Sequence, residues 1–342
     1  MADSTTPFVG GELTPEPGQP PQGEPRLRLR GINKSFGAVR ALTDVDFEVY
    51  AGEVVGLVGD NGAGKSTLIK AISGVGPADS GETFVEGQQV NISSPQVAAR
   101  LGIETVYQDL ALCDNLDVVS NLFLGHELVN VVPLAEVEME KRGLGVLQTL
   151  DVKLPSIRSK VAQLSGGQRQ SIAVAKTILR HAKIVLLDEP TAALGVAQTR
   201  QVLQLIRRLR DQGTTVFLNS HLLGEVERVC DVVAIVDRGQ VVAGGPLDDL
   251  LGVSTVRIRV TGLSIEARAR LSVFGTPADE PPWLVVRGCP PERVPDLVAA
   301  IVDEGARIYA VDAGRETLEE RFVELLAHPA RPADGSTGRA AS

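Results

Sequence analysis

The stretch Gly59-Asp60-Asn61-Gly62-Ala63-Gly64-Lys65-Ser66, continued by Thr67, decides the fold. It follows a short apolar run at residues 53–58 and precedes a helical pattern, Leu68-Ile69-Lys70-Ala71-Ile72. G-x-x-x-x-G-K-[ST] between a strand and a helix is a phosphate cradle, the P-loop. Its glycines turn backbone N–H groups toward an anion, and the following helix presents its positive N-terminus. In such a loop Gly59, Asn61, Gly62, Ala63, Gly64 and Thr67 surround the phosphates. Lys65 reaches the β- and γ-phosphates, and the Ser66 hydroxyl is placed to ligate Mg²⁺.

Two further motifs follow in order. Ile184-Val185-Leu186-Leu187-Asp188-Glu189-Pro190 is a buried strand that ends in two carboxylates. Asp188 is the candidate Mg²⁺ holder, and Glu189 the candidate general base toward an attacking water. Leu164-Ser165-Gly166-Gly167-Gln168 precedes a helical pattern at residues 168–179. A serine and two glycines opening a helix make a second anion-binding N-terminus, so Ser165, Gly166, Gly167 and Gln168 are candidate phosphate contacts. One chain then carries two cradles. The simplest arrangement is a head-to-tail dimer, with each ATP held between one copy's P-loop and the other's Leu164–Gln168 segment.

Outward from these motifs, short apolar strands alternate with helical patterns, the mark of an α/β parallel sheet. Strands are expected at residues 53–58, 183–187 and 214–219, with polar groups just past their carboxyl ends, where open α/β sheets place ligands. Residues 109–165 interrupt the alternation. Leu116, Val119, Leu122 and Phe123, then Leu144, Leu147, Leu150 and Val152, predict an inserted helical subdomain. From residue 254 a small α/β domain is expected through 327. Its strands fall at 256–260, 284–287 and 307–311, and its helices at 293–303 and 317–327, the last opened by a capping box of Thr317 and Glu320. Val294, Leu297, Val298, Ile301 and Val302, then Leu318, Phe322, Leu325 and Leu326, form the apolar stripes of these helices. Residues 1–25 are proline-rich, and residues 328–342 hold little to bury, so both read as disordered tails flanking a nucleotide-binding domain over 26–252.

Composition bounds the function. The chain has 342 residues, 43% hydrophobic, enough for one large domain and a small one. No apolar run is long enough to span a bilayer, and no signal-peptide layout opens the chain, so a soluble, intracellular protein is expected. Cys113, Cys230 and Cys289 form neither a disulfide framework nor a zinc pattern. A net charge of −9 argues against a general nucleic-acid surface.

With the three motifs in this order, residues 27–250 resemble the ATP-binding-cassette family. The resemblance implies an α/β P-loop NTPase fold, an ATPase with ATP and Mg²⁺ as cofactors, and further site residues. Gln108, in Val106-Tyr107-Gln108-Asp109, is similar to the glutamine that senses Mg²⁺ and faces the membrane partner. His221 is similar to the switch histidine at the γ-phosphate. Phe36, in Lys34-Ser35-Phe36-Gly37, is similar to the aromatic that stacks on adenine; a core phenylalanine is the other reading. One departure stands out. After Thr191, many members read S-A-L-D, whereas this chain reads Ala192-Ala193-Leu194-Gly195, as in monosaccharide-importer ATPases. Gly195 lacks the carboxylate that helps couple the two sites.

The gap between Ser66 and Leu164 holds no sustained heptads, which argues against a chromosome or DNA-repair cassette, and a single cassette argues against a ribosomal one. Transport remains. Residues up to 215 resemble monosaccharide-importer ATPases, whereas residues 217–327 resemble daunorubicin-type drug-exporter ATPases. The partner-docking surface lies in the importer-like part, so sugar import is the reading adopted, with drug or lipid export as the alternative. The implied partners are a second copy or a homologous ATPase, transmembrane permease subunits, and for import a substrate-binding protein. The implied place is cytoplasmic, on the inner face of the membrane.

Overall fold

The computed structural model describes residues 23–128, 135–251, 254–314 and 317–327. The tails expected at 1–25 and 328–342 lie outside the described residues, apart from residues 23–25. The chain opens with β1 (Leu27–Phe36), β2 (Val39–Val49), β3 (Val54–Val58) and α1 (Lys65–Ser73). Next come β4 (Ser80–Val85), β5 (Gln88–Val90), α2 (Pro95–Arg100) and β6 (Ile103–Val106). Helices α3 (Val118–Phe123), α4 (Glu136–Thr149) and α5 (Gly166–Leu179) lead into β7 (Ile184–Asp188), α6 (Val196–Asp211) and β8 (Thr215–Asn219). Then follow α7 (Leu223–Val229), β9 (Val232–Asp237), β10 (Gln240–Pro246) and α8 (Leu247–Leu250). The last part holds β11 (Thr255–Thr261), α9 (Ile265–Arg270), β12 (Thr276–Glu280), β13 (Trp283–Arg287), α10 (Val294–Asp303), β14 (Arg307–Gly314) and α11 (Leu318–Ala327).

The central sheet runs β10-β9-β3-β8-β7-β6. β3 pairs in parallel with both β8 and β9, and β7 with both β8 and β6; only β10 is antiparallel. β3 and β8 are buried along their whole length, and β7 up to Leu187. Strands covered on both faces read as unbroken apolar runs, which is why these three were visible in the sequence. Alternate residues of β3 serve two cores: Val54 and Val58 face one, Val55 and Leu57 the other.

A second, antiparallel sheet, β2-β1-β4-β5, covers the side occupied by Val55 and Leu57. The sequence reading did not contain it. β1 buries Leu27, Leu29 and Ile32, but its pairing with β2 shifts register between Leu29 and Ile32, so the period of two breaks. The inserted segment is also less helical than expected. α3 has 6 residues and α4 has 14, and most of the remaining described chain between Gln108 and Gly166 is irregular. α4 buries Met139, Gly143 and Leu147, so Leu144, placed on the apolar stripe by its spacing, points outward instead. Asn121, fully buried, holds the irregular chain by accepting from Cys113 N–H at 2.7 Å and donating to Cys113 O at 3.0 Å.

The C-terminal sheet, β12-β13-β11-β14, is antiparallel throughout. Leu297 and Ile301 of α10 pack with Val256, Ile258, Leu284 and Val286, whereas Val302 turns to solvent. α11 begins with the expected capping box: Glu320 accepts from Thr317 N–H at 2.9 Å, and Thr317 Oγ1 accepts from Glu320 N–H at 3.2 Å. This helix then leaves its own sheet. Leu318 is fully buried in the core that holds Val226 and Val229 of α7, and Phe322 packs against the same core. The Leu318 N–H lies 3.5 Å from Glu227 of α7, and Arg257 of β11 pairs with Glu320. The C-terminal part is thus fastened to the helix that follows His221. Leu318→Ala should lower unfolding free energy by about 2–5 kcal/mol. Val323→Ala, on the exposed side of the same helix, should stay within about 0.5 kcal/mol by denaturant titration.

Candidate nucleotide-binding site

The loop after β3 is shaped for an anion. Gly64 caps α1 in a left-handed conformation (φ 108) and offers no side-chain cap, so the first N–H groups of the helix stay available. A methyl at Gly64 would stand 2.5 Å from the Ala41 carbonyl oxygen, so the close approach of β2 requires glycine. Around Gly62 the space is open. Lys65 is buried, and its Nζ donates to Gly59 O at 2.7 Å and Asp60 O at 3.0 Å. Burial pushes its pKa down, while Glu189, Asp60 and Asp188 act in the opposite direction. The ammonium is therefore held on two neutral carbonyls, ready to exchange them for phosphate oxygens.

β7 and β8 bring the second motif to this loop. Asp188 is paired in register with Asn219, and Asn219 Nδ2 donates to Asp188 Oδ1 at 2.6 Å and lies 3.4 Å from Ser66 Oγ. Ser66 and Asp188, remote in sequence, are joined by one amide. A hydroxyl and a carboxylate are hard oxygen donors of the type Mg²⁺ prefers. Asn219 Oδ1 is buried with no donor among the described residues, a vacancy in the hydrogen bonding that a hydrated cation suits. The residues present fit Mg²⁺. Sequence reasoning missed Asn219; its place as the last residue of a buried strand, two before His221, was the available signal.

His221 follows β8 and Glu189 follows β7, so adjacent strands bring them together. His221 Nδ1 and Glu189 Oε2 are 2.7 Å apart; an ionised carboxylate only accepts, so opposite it the ring nitrogen donates. Nε2 is the remaining ring nitrogen; a phosphate oxygen only accepts, so Nε2 can serve one as well only in the imidazolium, where both nitrogens donate. Glu189 adopts φ 50, and its N–H donates to Asn219 O at 2.9 Å. This kink breaks the alternation of β7 and allows consecutive carboxylates to serve one site. Gln108 lies two residues past the carboxyl end of β6, next to β7, with its side chain exposed. Among the described residues it makes no hydrogen bond to Ser66, Asp188 or Glu189. Phe36, at the end of β1, is 55% exposed and carries Lys34 Nζ 5.6 Å from its ring centre, so it is not a core residue.

The Leu164–Gln168 segment forms a helix start. Ser165 Oγ accepts from Gln168 N–H at 3.3 Å, and Gln168 Oε1 accepts from Ser165 N–H at 3.0 Å, a full capping box. The glycines have a packing role as well. A methyl at Gly166 would stand 2.9 Å from Leu194 Cδ2, and one at Gly167 3.2 Å from Gln198 Cβ. Among the described residues, no hydrogen bond connects residues 165–168 to residues 59–67.

The family model for ABC transporters matches residues 42–192. The chain is 46% identical over 216 residues to a xylose/arabinose import ATP-binding protein of Sulfolobus acidocaldarius, spanning 63% of this chain and 86% of that one. The chain belongs to the ATP-binding-cassette family. A fructose import ATP-binding protein of Rhizobium meliloti is 44% identical over 220 residues, 62% of this chain and 85% of the relative. A ribose import ATP-binding protein of Caldanaerobacter subterraneus is 35% identical, and there the matched region is 48% of the relative. Among solved structures, the ADP form of an ABC-transporter cassette superposes with a TM-score of 0.60 at 26% identity, over 66% of this chain and 92% of that one. As an ATP-binding cassette, the chain binds nucleotide and hydrolyses ATP. Lys65→Ala should weaken ATP binding by about 1.5–3 kcal/mol, roughly ten- to hundredfold, in a direct titration.

Proposed function

We propose that this ATPase powers the import of monosaccharides. The supporting observation is the identity with the xylose/arabinose import protein, which extends over 86% of that relative. The fructose and ribose import relatives add to it. Export of a drug or lipid is the second reading, carried by the character of residues 217–327.

In the mechanism, the P-loop backbone and Lys65 hold the phosphates, and Phe36 offers its exposed face to the adenine ring. Ser66 and Asp188 would hold Mg²⁺, with Gln108, just past the adjacent strand β6, as a further candidate ligand. Bound there, the cation would offset charge on the transferred phosphoryl group. Glu189 orients the attacking water and takes its proton, and His221 positions Glu189 through Nδ1; as an imidazolium it would also donate Nε2–H to a γ-phosphate oxygen. Residues 165–168 complete the site of a second copy. A solved cassette resembling this chain at TM-score 0.56 and 25% identity, over 65% of this chain and 99% of that one, is a dimer bound to ADP and phosphate. Permease subunits would dock on the Gln108 side and hold the protein at the cytoplasmic face. Among the described residues, no helix is long and apolar enough to cross a membrane.

Glu189→Gln should give a dimer that appears on sizing only when ATP is present; a monomer with and without ATP sinks the composite site. For the transport reading, labelled xylose, arabinose, fructose or ribose should enter vesicles or cells that contain this ATPase and its permease. Outward movement of a hydrophobic drug with no sugar uptake would favour export.

A further inference from the structure

Asn219 is a buried polar side chain at the nucleotide site that the three motifs leave unassigned. It ends β8 and is 1% exposed. Its Nδ2 donates to Asp188 Oδ1 at 2.6 Å and approaches Ser66 Oγ at 3.4 Å. An ionised carboxylate only accepts hydrogen bonds, so this contact fixes which end of the amide faces Asp188. The other end, Oδ1, is buried with no donor among the described residues. Nearly all buried polar atoms find partners, so an orphaned acceptor beside a phosphate cradle points to water or a ligand shell that completes it.

We propose that Asn219 is a positioning residue for the divalent cation that accompanies ATP. Its amide ties the Asp188 carboxylate and the Ser66 hydroxyl into one cluster, and Oδ1 accepts a hydrogen bond from water around the cation. The choice of amide matters chemically. A lysine or arginine here would orient Asp188 but also neutralise it and repel the metal. An apolar residue would leave the carboxylate free to rotate. A neutral donor restrains the carboxylate while preserving its charge, the role that outer-shell partners play at metal sites.

The inference rests on Ser66 and Asp188 being the cation ligands, so its test separates the two claims. Mn²⁺ serves as the probe, its free concentration read by electron paramagnetic resonance in the presence of full-length protein and ADP. ADP affinity is also measured with excess chelator, where no cation contributes. Asn219→Leu, close in volume, should weaken Mn²⁺ binding to the ADP complex roughly 10- to 100-fold while leaving metal-free ADP affinity unchanged. Asn219→Thr keeps a hydroxyl donor on a strand-compatible side chain and should recover most of the loss. The proposal is overturned if Asn219→Leu binds Mn²⁺ like wild type, if it loses metal-free ADP affinity equally, or if a folded Asn219→Thr is no better than Asn219→Leu. Wild-type Mn²⁺ affinity in Asp188→Asn would instead remove the ligand assignment, and this inference with it.

Discussion

Parallel register between three buried strands is the constraint on which the site depends. Leu57 of β3 is aligned with Asn219 of β8, and Asn219 with Asp188 of β7. These pairings stop the strands at one level, so the glycine-rich loop, Asn219 with His221, and Asp188 with Glu189 emerge side by side. Side chains on a strand alternate between faces, so a one-residue slip of β7 would put Leu187 or Glu189 opposite Asn219 in place of Asp188. It would also expose Val185 or Leu186 to the wrong core. The apolar packing that fixes the register therefore also fixes the cluster of Ser66, Asp188 and Asn219.

The turn after β7 shows where local preference gives way to the site. Glu189 (φ 50) and Ala193 (φ 60) occupy the left-handed region that side-chain-bearing residues avoid, at a cost of roughly 1–2 kcal/mol each. Several bonds offset this. Glu189 N–H is held by Asn219 O, Ala192 N–H by Glu189 O at 3.1 Å, and Leu194 N–H by Thr191 O at 3.1 Å. Thr191, itself buried, donates through Oγ1 to Glu225 of α7 at 2.5 Å. The strain is thus carried by the helix after His221 as well as by the turn itself, and it leaves Glu189 within hydrogen-bonding distance of His221.

Much of this was legible in the sequence because its signals were local. The P-loop, the buried run ending at Asp188 and the Ser165 helix start each pair a residue type with a short spacing, and each falls on the element expected of it. What was hidden depended on neighbours distant in the chain. β1 and β2 are half-buried with shifted registers, so their periodicity is blurred. Leu144 sits at a core spacing, but α4 turns Gly143 inward against Leu122 and Ile157, which displaces Leu144 to the outside. In the sequence, Asn219 is simply the polar residue that ends an apolar run. Only the alignment of β8 with β7 and the P-loop reveals what its amide touches.

Gly195 can be weighed in the same physical terms. Its backbone is extended (φ −75), so glycine is not demanded by conformation, and beyond its chain neighbours no atom of the described residues lies within 4 Å of where a Cβ would stand. A side chain would fit there without disturbing the chain's own packing, and its absence removes no internal support. That support comes from Leu194, whose Cδ2 occupies the space beside Gly166, and from Gln198, which accepts from Gly195 N–H at 3.2 Å and packs on Gly167. The turn beside Glu189 and the helix start at Ser165 are consequently in direct contact within one copy. In the proposed head-to-tail arrangement one would serve the chain's own nucleotide and the other the partner's, so this contact lies between two half-sites where position 195 offers no carboxylate.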